Sequence, residues 1–143
     1  MSISNKARHQ LQDQVDGKTV IPIAQLIGFK LISFDYGRSK FTMKVTQKHH
    51  NPMGTVHGGI YCDIADAAMG VAFATTLAEN ETFGTVNFQI NFLKTAREEE
   101  FVAEGYLLKK TRTIGFLEAK IYDSLNDLVA TAQSTCKIIN LKS

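Results

Sequence analysis

Hydrophobic and polar positions change their period along this chain, and the changes divide it into elements. Residues 1–18 are mostly polar, read as helix-prone or frayed, and end at Asp16-Gly17. Pro22 opens a short apolar run closed by Gly28, as in a brief helix with Pro in its first turn. Phe29–Asp35 alternates loosely and predicts a strand. After the turn Tyr36-Gly37-Arg38, residues 39–46 place Phe41, Met43 and Val45 on one face with period two, a second strand that completes a hairpin. Residues 49–57 have no period and predict a loop.

Residues 59–77 then form the most apolar stretch of the chain and predict a helix about 27 Å long. It is apolar around most of its circumference, so it is expected at the centre of the fold. Everything after it alternates. Strands are predicted over 83–93, 101–109, 114–122 and 128–139, joined at 95–100, 111–113 and 124–127. In the first of these, Thr85, Asn87, Gln89 and Asn91 alternate with Val86, Phe88, Ile90 and Phe92. Two strands, one long apolar helix and four more strands suit an α+β fold: an antiparallel sheet of about six strands wrapped around one long central helix.

The length of 143 residues suits one core. A net charge of +2 lacks the broad basic field that nucleic-acid binding needs. Asp63, Asp66 and Glu79 interrupt the best candidate for a membrane span, so no membrane insertion is expected. The start of the chain carries no secretory apolar segment. Cys62 and Cys136 match no metal spacing and are expected to be reduced thiols in a cytoplasmic protein, although one bridge between them is open on sequence alone.

Asp66 is the chemical anomaly. It stands among Ile64, Ala65, Ala67, Ala68 and Met69, where an ionised carboxylate is expected to be buried at a cost. Just upstream, His57-Gly58-Gly59 is a glycine turn entering the same helix, whose first N–H groups have no partner inside the helix and suit a polarised carbonyl. Eight residues, about 12 Å of helix, separate Gly58 from Asp66. One chain's Asp66 therefore does not reach a carbonyl held at its own Gly58, whereas two helices packed antiparallel in a two-fold dimer bring one turn opposite the other acid.

Each candidate also has a plain structural reading. Asp66 suits a structural acid satisfied by its neighbours, and Asp63 a solvated or interface acid, or a favourable charge near the helix N-terminus. His57 suits a residue that orders the turn, and His49 and His50 suit exposed loop positions. The His and Asp spacing matches no metal pattern. Lys109, Lys110 and Arg112 gather at a strand turn, either as a solvated turn or as a patch for a phosphorylated ligand.

Asn51-Pro52-Met53-Gly54-Thr55-Val56-His57-Gly58-Gly59, followed by Ile64-Ala65-Asp66-Ala67-Ala68-Met69-Gly70, resembles the signature of hotdog-fold acyl-CoA thioesterases of the PaaI-like group. The strand from Gly84 to Leu93 is similar to that family's strand after the helix. The resemblance runs from about residue 27 to residue 139. It divides the chain into a polar extension, 1–20, and a hotdog domain, 21–143, with the extension either an extra helix or a disordered tail. It implies homo-oligomers, a dimer or a dimer of dimers, with active sites at the dimer interface, and an acyl-CoA substrate without any cofactor, since CoA is part of the substrate. By position it implies Asp66 as general base or nucleophile, the Gly58 N–H as polariser of the thioester carbonyl, and Asn51 as orienter of water or the acyl group. It further implies His57 against the thioester region, Thr85 as an aid to the attacking water, and Gly59, Lys109, Lys110 and Arg112 as contacts to substrate or CoA. A hotdog (de)hydratase and a silent acyl-CoA-binding domain are the competing readings.

Overall fold

The computed structural model describes residues 1–97 and 99–142. Glu98, in the expected 95–100 connection, and Ser143, at the end of the expected 21–143 domain, lie outside the described residues. Helices α1 (Asn5–Val15) and α2 (Pro22–Ile27) lead into strands β1 (Phe29–Asp35) and β2 (Arg38–Val45). A 3-10 turn at Gln47–His49 precedes helix α3 (Gly58–Ala74), and β3 (Glu81–Phe92), β4 (Glu99–Lys110), β5 (Ile114–Tyr122) and β6 (Leu128–Asn140) follow. The six strands form one sheet in the order β1-β2-β4-β5-β6-β3, every pair antiparallel. The sheet curls around α3, which is the hotdog arrangement that the resemblance implies.

Helix α3 is held to the sheet by one face. Tyr61, Ile64, Ala65, Ala68, Met69, Ala72 and Phe73 recur every three or four residues and are buried against the strands. Two glycines let the layers approach. A Cβ at Gly105 of β4 would fall on the Ala68 carbonyl, and one at Gly115 of β5 would fall on the Phe73 ring. Ser39 of β2 donates to the same Ala68 oxygen at 2.6 Å. The helix stops three residues before the expected Leu77. Thr75 and Thr76 fold their hydroxyls back onto the carbonyls of Ala72 and Phe73, each at 2.7 Å, which takes the acceptors that further turns need.

The opposite face of α3 is not covered by the sheet. Asp66 is exposed there, and Asp63, Ala67, Gly70, Val71 and Ala74 are only half-buried. This corrects the expectation that Asp66 is buried. An apolar sequence does not reveal which part of a helix its own sheet reaches.

The first residues are ordered against the core. Ser4 caps α1 by accepting from the Ala7 N–H at 3.2 Å, and Ile3 and Leu11 are buried. Burying one such side chain contributes about 1.5–3 kcal/mol, enough to dock an otherwise polar helix. At the far edge of the sheet, β3 pairs with β6 on one side and, among the described residues, with no strand on the other, and Val86, Phe92 and Leu93 are exposed.

Candidate active site

Helix α3 begins at a built cap. His57 is the N-cap residue, and its Nδ1 accepts from the Gly59 N–H at 2.9 Å. The Gly58 N–H is among the first helical donors, which have no acceptor inside the helix. Both glycines sit close to neighbouring side chains. A Cβ at Gly58 would stand 3.1 Å from the Phe92 ring, and one at Gly59 would stand 3.0 Å from His57 Nδ1. Phe92 also meets Tyr61 edge-on, with 5.7 Å between ring centres.

The loop before the cap is held by its own polar groups. Asn51 Oδ1 accepts from the N–H groups of Met53 and Thr55, at 2.9 and 3.2 Å, and its Nδ2 donates to Thr55 Oγ1 at 2.8 Å. His50 Nε2 lies 2.8 Å from the Arg97 carbonyl. His49, expected on the surface, is buried. Its Nδ1 accepts from the Thr46 N–H at 3.0 Å and its Nε2 lies 2.6 Å from the Ile27 carbonyl, so the ring clasps the end of α2 to the loop. Each of the three histidines is thus engaged with backbone, and among the described residues no three His, Cys, Asp or Glu side chains gather to hold a metal.

Asp66 lies farther along, on the uncovered face of α3. It lines a mostly apolar cavity of about 770 Å3, together with Asp63 and Thr85. Loss of water, then the charge of Asp63, push the Asp66 carboxyl above the ordinary carboxylate range. Asp63 is also raised by loss of water, with His57 acting against the shift.

Thr85 reaches this cavity through a bulge. Strict alternation puts Thr85 on the face opposite Phe88, Ile90 and Phe92. The register against β6 slips between Thr85 and Asn87, so Thr85 pairs with Cys136 and Phe88 with Ser134, both partners buried on the helix side. Thr85 therefore shares the face of Phe88 despite the odd spacing, and its Oγ1 is 3.7 Å from Cys136 Sγ. Both cysteines are free thiols.

The basic turn sits by the other end of α3. Lys110 Nζ donates to the Thr76 carbonyl at 2.5 Å and lies 4.0 Å from Glu81, while Lys109 and Arg112 are exposed. Three groups are therefore strung along one helix: Asn51, His57, Gly58 and Gly59 at its start, Asp66 and Thr85 on the cavity, and the basic turn at its end. The single chain unites only Asp66 and Thr85. Sequence reasoning left two contributions to the cavity out: Asp63 and the first two helices. The helical spacing 7, 10, 11, 14 is the signal for α1.

Residues 53–130, which hold the glycine turn, the acid, β3 to β5 and the start of β6, match the sequence model of the thioesterase superfamily. The chain belongs to that superfamily. It is therefore a thioester hydrolase. Among its relatives, the 1,4-dihydroxy-2-naphthoyl-CoA hydrolase of Listeria monocytogenes is 22% identical over 116 residues, 81% of this chain and 94% of that protein. The acyl-coenzyme A thioesterase 13 of Mus musculus is 29% identical over 96 residues, 65% of this chain and 67% of that protein. The solved PaaI protein of the E. coli phenylacetic acid degradation operon shares the fold, with a TM-score of 0.82 at 20% identity, covering 94% of this chain and 98% of that one. This thioesterase-superfamily chain thus has the hotdog fold over nearly its whole length.

Proposed function

We propose that this thioesterase hydrolyses acyl-CoA thioesters to the free acid and CoA, with Asp66 as the reactive carboxylate. The observation that carries the assignment is the position of Asp66: an acid with a raised pKa that lines a mostly apolar cavity with Thr85. Both named relatives act on CoA thioesters by their names, which supports CoA as the leaving group.

A raised pKa makes Asp66 a better proton acceptor near neutral pH than an ordinary carboxylate. As general base, Asp66 takes a proton from water, and the resulting hydroxide adds to the thioester carbonyl carbon. The C–S bond then breaks, and the thiolate leaves with the proton returned by Asp66 or taken from solvent. As nucleophile, Asp66 itself adds to the carbonyl carbon, expels the thiolate and is freed by water. Either route needs a donor for the carbonyl oxygen, a role suited to the Gly58 N–H. Thr85 is suited to hold the water.

The Gly58 donor and Asp66 are too far apart to act in one chain, so the reading includes a dimer. The face of α3 left open by the sheet and the free edge of β3 are surfaces suited to a second copy. An antiparallel pair places one copy's Gly58 turn against the other's Asp66, and Asn51 then serves from the facing subunit through its loop. Lys109 and Arg112 remain suited to the phosphates of CoA; Lys110 is already engaged at the helix end.

The test is thiol release from a panel of aromatic and aliphatic acyl-CoAs by wild type and Asp66→Asn. A fall of about 100-fold or more in kcat, with the fold intact by circular dichroism, is the expected result. No release by the wild type from any member overturns the acyl-CoA reading.

A further inference from the structure

The apolar cavity behind Asp66 is not made by the hotdog sheet and helix alone. Ala7, Gln10, Leu11 and Gln14 line it from α1, and Ile23, Ala24 and Gln25 of α2, with Ile21 and Gly28 at its two caps, line it beside them. The α1 set follows the spacing of a single helical face. The two short helices border the same space as Asp66, Ala67, Gly70 and Val71 of α3. The rings of Phe29, Phe41 and Phe83 also border it.

We propose that α1 and α2 form the distal wall of the acyl chamber, and that this chamber takes a bulky apolar acyl group in preference to an acetyl-sized one. The inference rests on the thioesterase reading of Asp66. A volume of about 770 Å3 falls in the range of about 300–1,000 Å3 typical of sites for drug-sized ligands, far more than an acetyl group fills. The cavity is continuous with the reacting carboxylate, so an acyl group whose carbonyl lies at Asp66 extends into it. Ala7, Leu11, Ile21 and Ala24 line it on this side, and their size sets the length and width admitted. The first twenty residues thus act as a specificity element rather than a tail.

The test compares wild type with Ala24→Trp, which fills the chamber from its wall, and with Val20→Ala, which enlarges it at an exposed position. The readouts are kcat/KM for acetyl-, octanoyl- and dodecanoyl-CoA, displacement of bound anilinonaphthalene sulfonate by the same compounds, and solution mass. The wild type is expected to prefer octanoyl- to acetyl-CoA by about 100-fold or more, because each buried methylene adds about 0.8 kcal/mol. Ala24→Trp is expected to cut that preference about tenfold or more, and Val20→Ala to shift it toward dodecanoyl-CoA. The proposal is overturned if folded Ala24→Trp leaves the preference unmoved, if acetyl- and octanoyl-CoA fall together, or if solution mass changes while selectivity does not. If Ala24→Trp does not fold, Val20→Ala decides: an unchanged chain-length preference overturns the wall. If the wild type releases no thiol but octanoyl-CoA still displaces the dye better than acetyl-CoA, and the substitutions alter that order, the wall stands and hydrolysis falls.

Discussion

His57 Nδ1 accepts the Gly59 N–H at 2.9 Å, so the ring beside the candidate carbonyl site is also the cap of the helix that carries Asp66. The bond removes one orphan donor and leaves the neighbouring Gly58 N–H for a ligand. His57→Ala loses the cap, which costs about 0.5–2 kcal/mol by analogy with other caps. It also frees the first turn, so kcat is expected to fall about tenfold or more. Asn is a good cap without an imidazole. Rescue of both melting temperature and thiol release by His57→Asn marks a positioning residue; rescue of stability alone marks a group that meets the substrate.

Asp63 sits one turn before Asp66 and adds to the rise of its pKa. As a base, Asp66 acts only when ionised, so activity is expected to fall as pH drops through a value above the ordinary carboxylate range. Asp63→Asn removes the like charge, and the acidic limb of kcat/KM is expected to move to lower pH. Stability has the opposite sense. A carboxyl whose folded pKa is raised favours the folded state when protonated and opposes it once ionised. Asp66→Asn is therefore expected to raise the melting temperature at pH 7 while abolishing turnover, with the gain shrinking as pH falls through the raised value. A lower melting temperature at pH 7 would falsify this account of the Asp66 environment.

Much of this was legible in the sequence. β1 and β5 are bounded where the period of two places them, and the order of strands around one helix follows from the pattern alone. What was not legible depends on contacts between distant segments. The bulge that turns Thr85 inward is set by its register with Cys136, not by β3 itself. His49 is buried because Ile27 offers a carbonyl, and nothing beside His49 in sequence announces it. Asp66 is exposed because the sheet reaches only half of its helix. Phe92, whose ring would meet a Cβ at Gly58, comes from a strand more than thirty residues away, and nothing in the glycine turn itself announces it.

Gly105 brings the central strand β4 onto the Ala68 carbonyl, two residues from Asp66. Gly105→Ala forces helix and sheet apart at this contact and disturbs the bond from Ser39. Overpacking of this kind costs about 1–3 kcal/mol. Thermal unfolding is expected at a lower temperature, and thiol release is expected to drop because Asp66 moves with its helix. An unchanged melting temperature means that the layers separate without cost.

Lys94 joins β3 to the β5–β6 turn by pairing with Asp123 at 2.6 Å and Asp127 at 3.0 Å. Asp123 also accepts the N–H groups of Leu125 and Asp127, so its carboxylate organises the turn in which Asn126 has a positive φ of 65°. The Lys94 ammonium, with these backbone donors, holds the Asp123 carboxyl below its usual range, and the two carboxylates raise the Lys94 ammonium. The depressed acid contributes stability that is full above its unfolded pKa of about 3.9 and fades as pH falls through its folded value. The raised lysine contributes stability that is full below about 10.4 and fades as pH rises through its folded value. Lys94→Met is therefore expected to unfold at a lower temperature than wild type at pH 7, with the gap closing in acid and narrowing in strong base. A gap that stays constant from pH 3 to pH 10 would mean that packing of the lysine stem, not charge, holds the turn.

Val86 lies on the free edge of β3 and is exposed in the single chain, so a charge there leaves the protomer's own core intact. If a second copy pairs along this edge, Val86→Lys places two ammonium groups across one interface and removes apolar contact. The expected result is a halving of solution mass by sedimentation, with melting of the protomer still cooperative. In the proposed shared site the Gly58 turn and Asp66 meet between copies, so thiol release is expected to fall about 100-fold or more in step with dissociation. Mixing inactive Gly58→Pro with inactive Asp66→Asn separates dimer formation from site sharing. In the shared-site arrangement, each mixed dimer contains one site with both Gly58 and Asp66 intact, so activity returns to about a quarter of wild type at random pairing. No recovery after verified subunit exchange would place Gly58 and Asp66 of one chain in the same site, despite the length of helix between them.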